Sequence, residues 1–108
     1  MTSGDLTGVP FTTGGFIDYQ TGSVVSRVVL KQKTGSVTAF AFDQGEELSE
    51  HIVPHEVLIH VTDGTAEISI SGTRHRVAAG EMIILPAGQP HAVRAITRFK
   101  MMLVMLRA

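Results

Sequence analysis

The stretch that most constrains this chain is "VLIHVTDGTAEISISGTRHRV", residues 57 to 77. Apolar and polar residues alternate through it, which is the period of a strand with one buried face. Asp63-Gly64 is a strong two-residue hairpin signal, because both central positions of such a turn favour positive φ. Ser71-Gly72 is a second, weaker one. If Asp63-Gly64 closes a hairpin, Ile59 lies opposite Ile68 and Val61 opposite Ala66, and directly opposite residues share a face. Val57, Ile59, Val61, Ala66, Ile68 and Ile70 then form one apolar face, with His60 on the other face opposite Glu67. Closing the next hairpin at Ser71-Gly72 sets Glu67 opposite Arg76 and places His75 with Ile68 and Val77.

The same pattern extends outward. "SVVSRVVLK" is β-branched and bounded by Gly22 and Gly35, and "SVTAFAFD" alternates up to Gly45. Six or more strand-like segments, short turns and no convincing amphipathic helix predict an all-β barrel or sandwich. In "RFKMMLVMLR" both faces are apolar, so one fills the core and the other is expected to be covered, by the N-terminal segment or by a second subunit. Residues 1–20 are rich in Gly, Thr and Ser. They read as an arm without regular structure, anchored by Phe11, Phe16 and Ile17 on the body or on a neighbouring subunit. Residues 21–108 form the single barrel domain.

Composition narrows the function. The 108 residues carry nine basic and ten acidic side chains, a net charge of −1, so no general attraction to nucleic acid or to acidic membranes is expected. With no cysteine there is no disulfide framework and no thiolate nucleophile or ligand. The start of the chain lacks the basic and apolar regions of a secretory signal. No apolar run reaches the ~20 residues of a membrane span. The expectation is a cytoplasmic protein whose small core is extended by homodimerisation.

Two segments carry the chemistry. "GEELSEHIVPHEVLIHVTDG" (45–64) and "GEMIILPAGQPHAVRA" (80–95) resemble the two signature motifs of the cupin superfamily. Gly45, His51 and Gly64 hold their places in the first motif. Gly80, Pro86, Gly88 and His91 hold theirs in the second. The resemblance covers roughly residues 36 to 106 and implies a single RmlC-like jelly-roll barrel, or double-stranded β-helix, of the conserved cupin-2 kind. Members with the full motif hold a divalent metal with three His and one Glu. Here Val53 and Val57 stand where a second His and the Glu are expected, and Ala95 stands at the Asn position of the second motif. Glu56 is one residue away from the Glu place and, by alternation, points outward.

Two readings follow. In the first, the chain binds a small organic ligand in a pocket lined by His51, Val53, Val57, Gln89 and His91, beside an incomplete metal site; the two valines make that region drier and more apolar. In the second, a metal-dependent enzyme of dioxygenase or isomerase type uses His51 and His91 with a third ligand, His55, to hold Fe, Mn, Zn or Ni. His60 and His75 are assigned to hydrogen-bonding roles, and Glu46, Glu47 and Glu50 to a solvated loop.

Overall fold

The computed structural model describes residues 6–107. The first five residues of the expected arm, and Ala108, lie outside them. After a four-residue helix, α1 (Thr13–Phe16), nine strands follow among the described residues. They are β1 (Val24–Gln32), β2 (Gly35–Phe42), β3 (Glu47–His51), β4 (Glu56–Asp63), β5 (Thr65–Ile70), β6 (Thr73–Ala78), β7 (Met82–Leu85), β8 (His91–Ala95) and β9 (Phe99–Leu106). They form two antiparallel sheets of order β1-β2-β9-β4-β7 and β3-β8-β5-β6, the two layers of a jelly roll. No helix of the described residues is long and apolar enough to cross a membrane.

Alternation builds the core. Val57, Ile59 and Val61 from one sheet meet Ala66, Ile68, Val77, Val93 and Ala95 from the other, all buried. Phe42 stacks on Phe99 at 4.5 Å between ring centres. Each large side chain that is fully buried here contributes about 1.5–3 kcal/mol relative to exposure.

The Asp63-Gly64 hairpin does not form. β4 pairs with β7 and β9, whereas β5 pairs with β6 and β8. At Gly64 the chain crosses from one sheet to the other. The glycine is required for two reasons: its φ is +72°, and a Cβ there would stand 1.8 Å from the carbonyl oxygen of Arg98. A close backbone crossing and a tight hairpin both demand glycine, and the dipeptide alone does not distinguish them. His60 is accordingly not opposite Glu67. Its cross-strand neighbours are Met82 and Met102. The facial assignment survives, because alternation continues through the crossing even though the pairing does not. The weaker signal at Ser71-Gly72 does close a hairpin, with φ of 50° and 84° at the two turn residues and Ile70 opposite Thr73. Glu67 faces Arg76, and Ile68 faces His75, as that turn requires.

β9 is doubly apolar because it is the central strand of the larger sheet. Phe99 and Met101 point into the main core. Met102 points outward and packs in a second cluster, with Phe16, Ile17, Ala39 and Ala41. So the arm folds back over the outer face of its own sheet. The arm is not wholly irregular: Thr12 caps α1, its hydroxyl accepting from Gly15 N at 3.1 Å. Arg27 donates to the Phe16 carbonyl at 2.8 Å and lies over the Phe16 ring. Lys100 donates to the Gly14 carbonyl at 2.8 Å, and the Tyr19 hydroxyl donates to Asp63.

Candidate functional site

The site sits at one end of the smaller sheet. On the inner face of β8, residues 91, 93 and 95 alternate inward and are buried. His91 is 4% exposed, with Ile70 of β5 on one side and His51 of β3 on the other. A bulge brings His51 into register: Leu48 pairs with Val93 and His51 with His91, so three steps on β3 match two on β8. Without the extra residue, strict alternation from Leu48 would turn Glu50 inward and His51 outward.

The two rings meet edge to face, with Nε2 to Nε2 at 3.2 Å. His51 Nδ1 lies 2.8 Å from the Ser49 carbonyl. A carbonyl only accepts, so Nδ1 of His51 carries the hydrogen and its Nε2, in the neutral ring, holds a lone pair. His91 Nε2–H then donates to it. That leaves His91 Nδ1 as a lone pair, buried and without a hydrogen-bond partner among the described residues. Burial, and secondly the neighbouring His51, hold the pKa of His91 below the usual imidazole value. The Gln89 backbone carbonyl acts against them by favouring the charged ring, although it does not meet Nδ1 at hydrogen-bond geometry. His91 is therefore neutral near pH 7.

The other expected site residues are spread more widely. Val53 is half-buried against the main core, and its carbonyl accepts from Gly88 N at 2.9 Å, tying together the two loops that carry the motifs. Val57 is sealed in the core, with Leu85 and Met105 as its cross-strand neighbours. Glu56 points outward and is exposed. The Gln89 side chain is exposed and accepts from the Ser71 hydroxyl at 3.1 Å, so it braces the Ser71-Gly72 turn. His55 lies away from the pair, in a surface depression of about 350 Å³ lined by Pro54, Glu56, Ala87, Leu106 and Arg107. His75 is half-buried on β6, beside Ile68 rather than His91. The sequence carried no sign of the Ser49 carbonyl contact or of the bulge, since neither depends on the type of side chain.

Two imidazole nitrogens each about 2.0–2.1 Å from one ion stand about 3 Å apart, so this pair has the spacing of neighbouring ligands. His51 also has the backbone-carbonyl support that orients a ligating imidazole. The set stops there. Among the described residues, no group of three or more His, Cys, Asp or Glu side chains is placed to hold a metal ion. Two imidazoles without a carboxylate or third imidazole do not fit a resident catalytic metal.

Residues 39–106 match the family model described as a cupin domain. The chain is a member of that family. Known structures agree on the fold. A conserved protein of unknown function from Streptococcus pyogenes is similar, at 30% identity over 92% of this chain and 87% of that one, with a TM-score of 0.88. A cupin superfamily protein from Desulfitobacterium hafniense has the same TM-score at 23% identity, over 92% and 91% of the two chains. A cupin 2 conserved barrel domain protein from Leptotrichia buccalis is 34% identical over 84% of this chain and 44% of that one, with a TM-score of 0.82. No curated protein matches.

Proposed function

We propose that this cupin binds a compact organic acid at the His51–His91 end of the barrel, without a resident metal. The observation that carries the reading is His91 itself: an almost wholly buried imidazole whose one polar partner is another imidazole and whose Nδ1 has none. A buried acceptor left unpartnered costs about 1–3 kcal/mol, and a proton supplied with an acid turns Nδ1 into a donor, for which a small shift of the ring makes the Gln89 backbone carbonyl the acceptor. The charged ring would then turn Nδ1–H toward the side of the Gln89 carbonyl, while the pair offers its positive charge to the guest carboxylate. The half-buried Val53 supplies apolar surface beside it.

Neither histidine alone is suited to the task. His51 is exposed and would be solvated, and His91 is too buried to charge without a counter-ion. Binding should therefore take up about one proton and strengthen as pH falls. Thermal shift with small mono- and dicarboxylates tests this. The melting temperature is expected to rise more at about pH 6 than at about pH 8, and the shift to vanish in His91→Leu. Retention of one equivalent of Fe, Mn, Zn or Ni, lost in the same variant, would instead establish a metal site. No shift with any acid at either pH would overturn the proposal.

A further inference from the structure

The inner faces of the two sheets are not equally buried along their length. On β9, Phe99 and Met101 are sealed in the core, whereas Leu103 and Met105, next on the same face, are half-buried. On β2 the trend is the same: Phe42 is sealed and Phe40 half-buried. On β5, Ile68 is sealed and Ile70 half-buried. Each row loosens away from the crossing at Gly64 and toward the end that holds the histidines, since Ile70 is the cross-strand neighbour of His91. The loosening is one-sided. At the same end Val57 of β4 and Leu85 of β7 stay sealed, with Val57 between Leu85 and Met105. The opening is therefore on the β2 side of the larger sheet. β2 runs into β3 through residues 43–46, which keeps β3 over that side, and there Leu48 of β3 is half-buried as well.

We infer, resting on the acid-binding reading above, that the guest is a carboxylic acid with an aliphatic tail, and that Phe40, Leu103 and Met105 hold the tail. Large apolar side chains left half-exposed on an inward face gain when an apolar guest takes their surface from water. Met105 is unbranched and polarizable, so it adapts to the shape of such a guest. Depth sets the length. The half-buried stretch of β9 runs from Met105 to Leu103 and stops at the sealed Met101. Two residues of strand span about 7 Å, which suits a tail of about four to six carbons. The wall also excludes a class of guest. Thr38 and Ser36, opposite Leu103 and Met105, bring one hydroxyl each to the inner face of β2. A polyhydroxylated acid would bury more hydroxyls than these can pair, and each unpaired one opposes binding.

Isothermal titration of the full chain at about pH 6 tests this, with acetate, butyrate, hexanoate, octanoate, hexanol and gluconate as probes. Affinity is expected to rise about three- to fourfold per carbon from acetate to hexanoate and to level off by octanoate. Gluconate, and hexanol without its charge, should each bind at least about tenfold more weakly than hexanoate. Leu103→Phe fills the opening and should lower the hexanoate-to-acetate affinity ratio at least about tenfold, whereas Phe40→Leu widens it and should let the rise continue to octanoate. Both keep an apolar residue at a half-buried position, and circular dichroism checks that both fold. Equal affinity for acetate and hexanoate in the wild type would overturn the tail and leave the acid site standing, as would gluconate bound as tightly as hexanoate. Hexanol bound as tightly as hexanoate, hexanoate bound equally by His91→Leu, or no acid bound at all would strike the acid reading and this inference with it.

Discussion

Replacing His91 by leucine should stabilise the fold while removing the proposed binding, and its size can be worked from the contacts. The substitution removes a buried, unpartnered Nδ1, worth about 1–3 kcal/mol in favour of the variant. It forfeits the hydrogen bond to His51, about 0.5–1.5 kcal/mol, but His51 is exposed and recovers water. Leucine has similar volume and would lie beside Ile70, so packing loss is small. The net gain is about 1 kcal/mol at neutral pH, or a rise of about 4–8 °C in melting temperature for a domain of this size. The pH dependence sharpens the test. His91 has a folded pKa below its unfolded value, so the unfolded chain binds the proton first. Its share of stability is complete above about pH 6.5 and is lost as pH falls from there through the lowered folded value. The variant lacks that slope, so its advantage should widen in acid. Urea titrations from about pH 8 to about pH 5 measure both effects. A variant destabilised by more than about 1 kcal/mol at neutral pH would refute the reasoning, since it would mean that Nδ1 has a strong partner.

Two further outcomes bear on the fold. Gly64→Ala and Gly72→Ala both place a side chain at positive φ, costing about 1–2 kcal/mol. Only at Gly64 does the new Cβ meet backbone, at 1.8 Å, while Gly72 has open space, so thermal melts should show Gly64→Ala less stable by at least about 2 kcal/mol more. Phe16→Ala removes the buried ring that anchors the arm beneath Arg27 and should cost about 3 kcal/mol by urea titration; a change below about 0.5 kcal/mol would mean that the arm is not held there.

What was legible in the sequence was what alternation and turn chemistry encode. The inward set from Val57 to Ile68, the Ser71-Gly72 hairpin and the apolar double face of β9 follow from side-chain type alone. The Asp63-Gly64 crossing was misread, because the residue that makes Gly64 obligatory is Arg98, thirty-four positions away, and a local pattern carries no information about it. The meeting of His51 with His91 followed from resemblance to the cupin motifs and not from alternation, which taken strictly from Leu48 would have turned His51 outward. A bulge is a backbone event that leaves little trace in side-chain type. His55 stood in the sequence only as a third ligand swinging in from the turn after Pro54, and that turn carries it to a different hollow.

The two histidines are held unequally, and this bears on how a guest would enter. β8 is an interior strand, bonded to both β3 and β5, and His91 is buried beside Ile70. β3 is the edge strand of the same sheet, five residues long, with its ladder broken by the bulge just before His51. Edge strands with few bonds open at lower cost than interior ones. The contact at 3.2 Å between the rings therefore joins a fixed partner to a movable one. Displacing His51 would uncover the His91 Nε2–H at the cost of a single neutral hydrogen bond, about 0.5–1.5 kcal/mol, and the rest of the barrel would stay packed. A rigid buried imidazole behind an adjustable exposed one allows the site to admit a guest without opening its core.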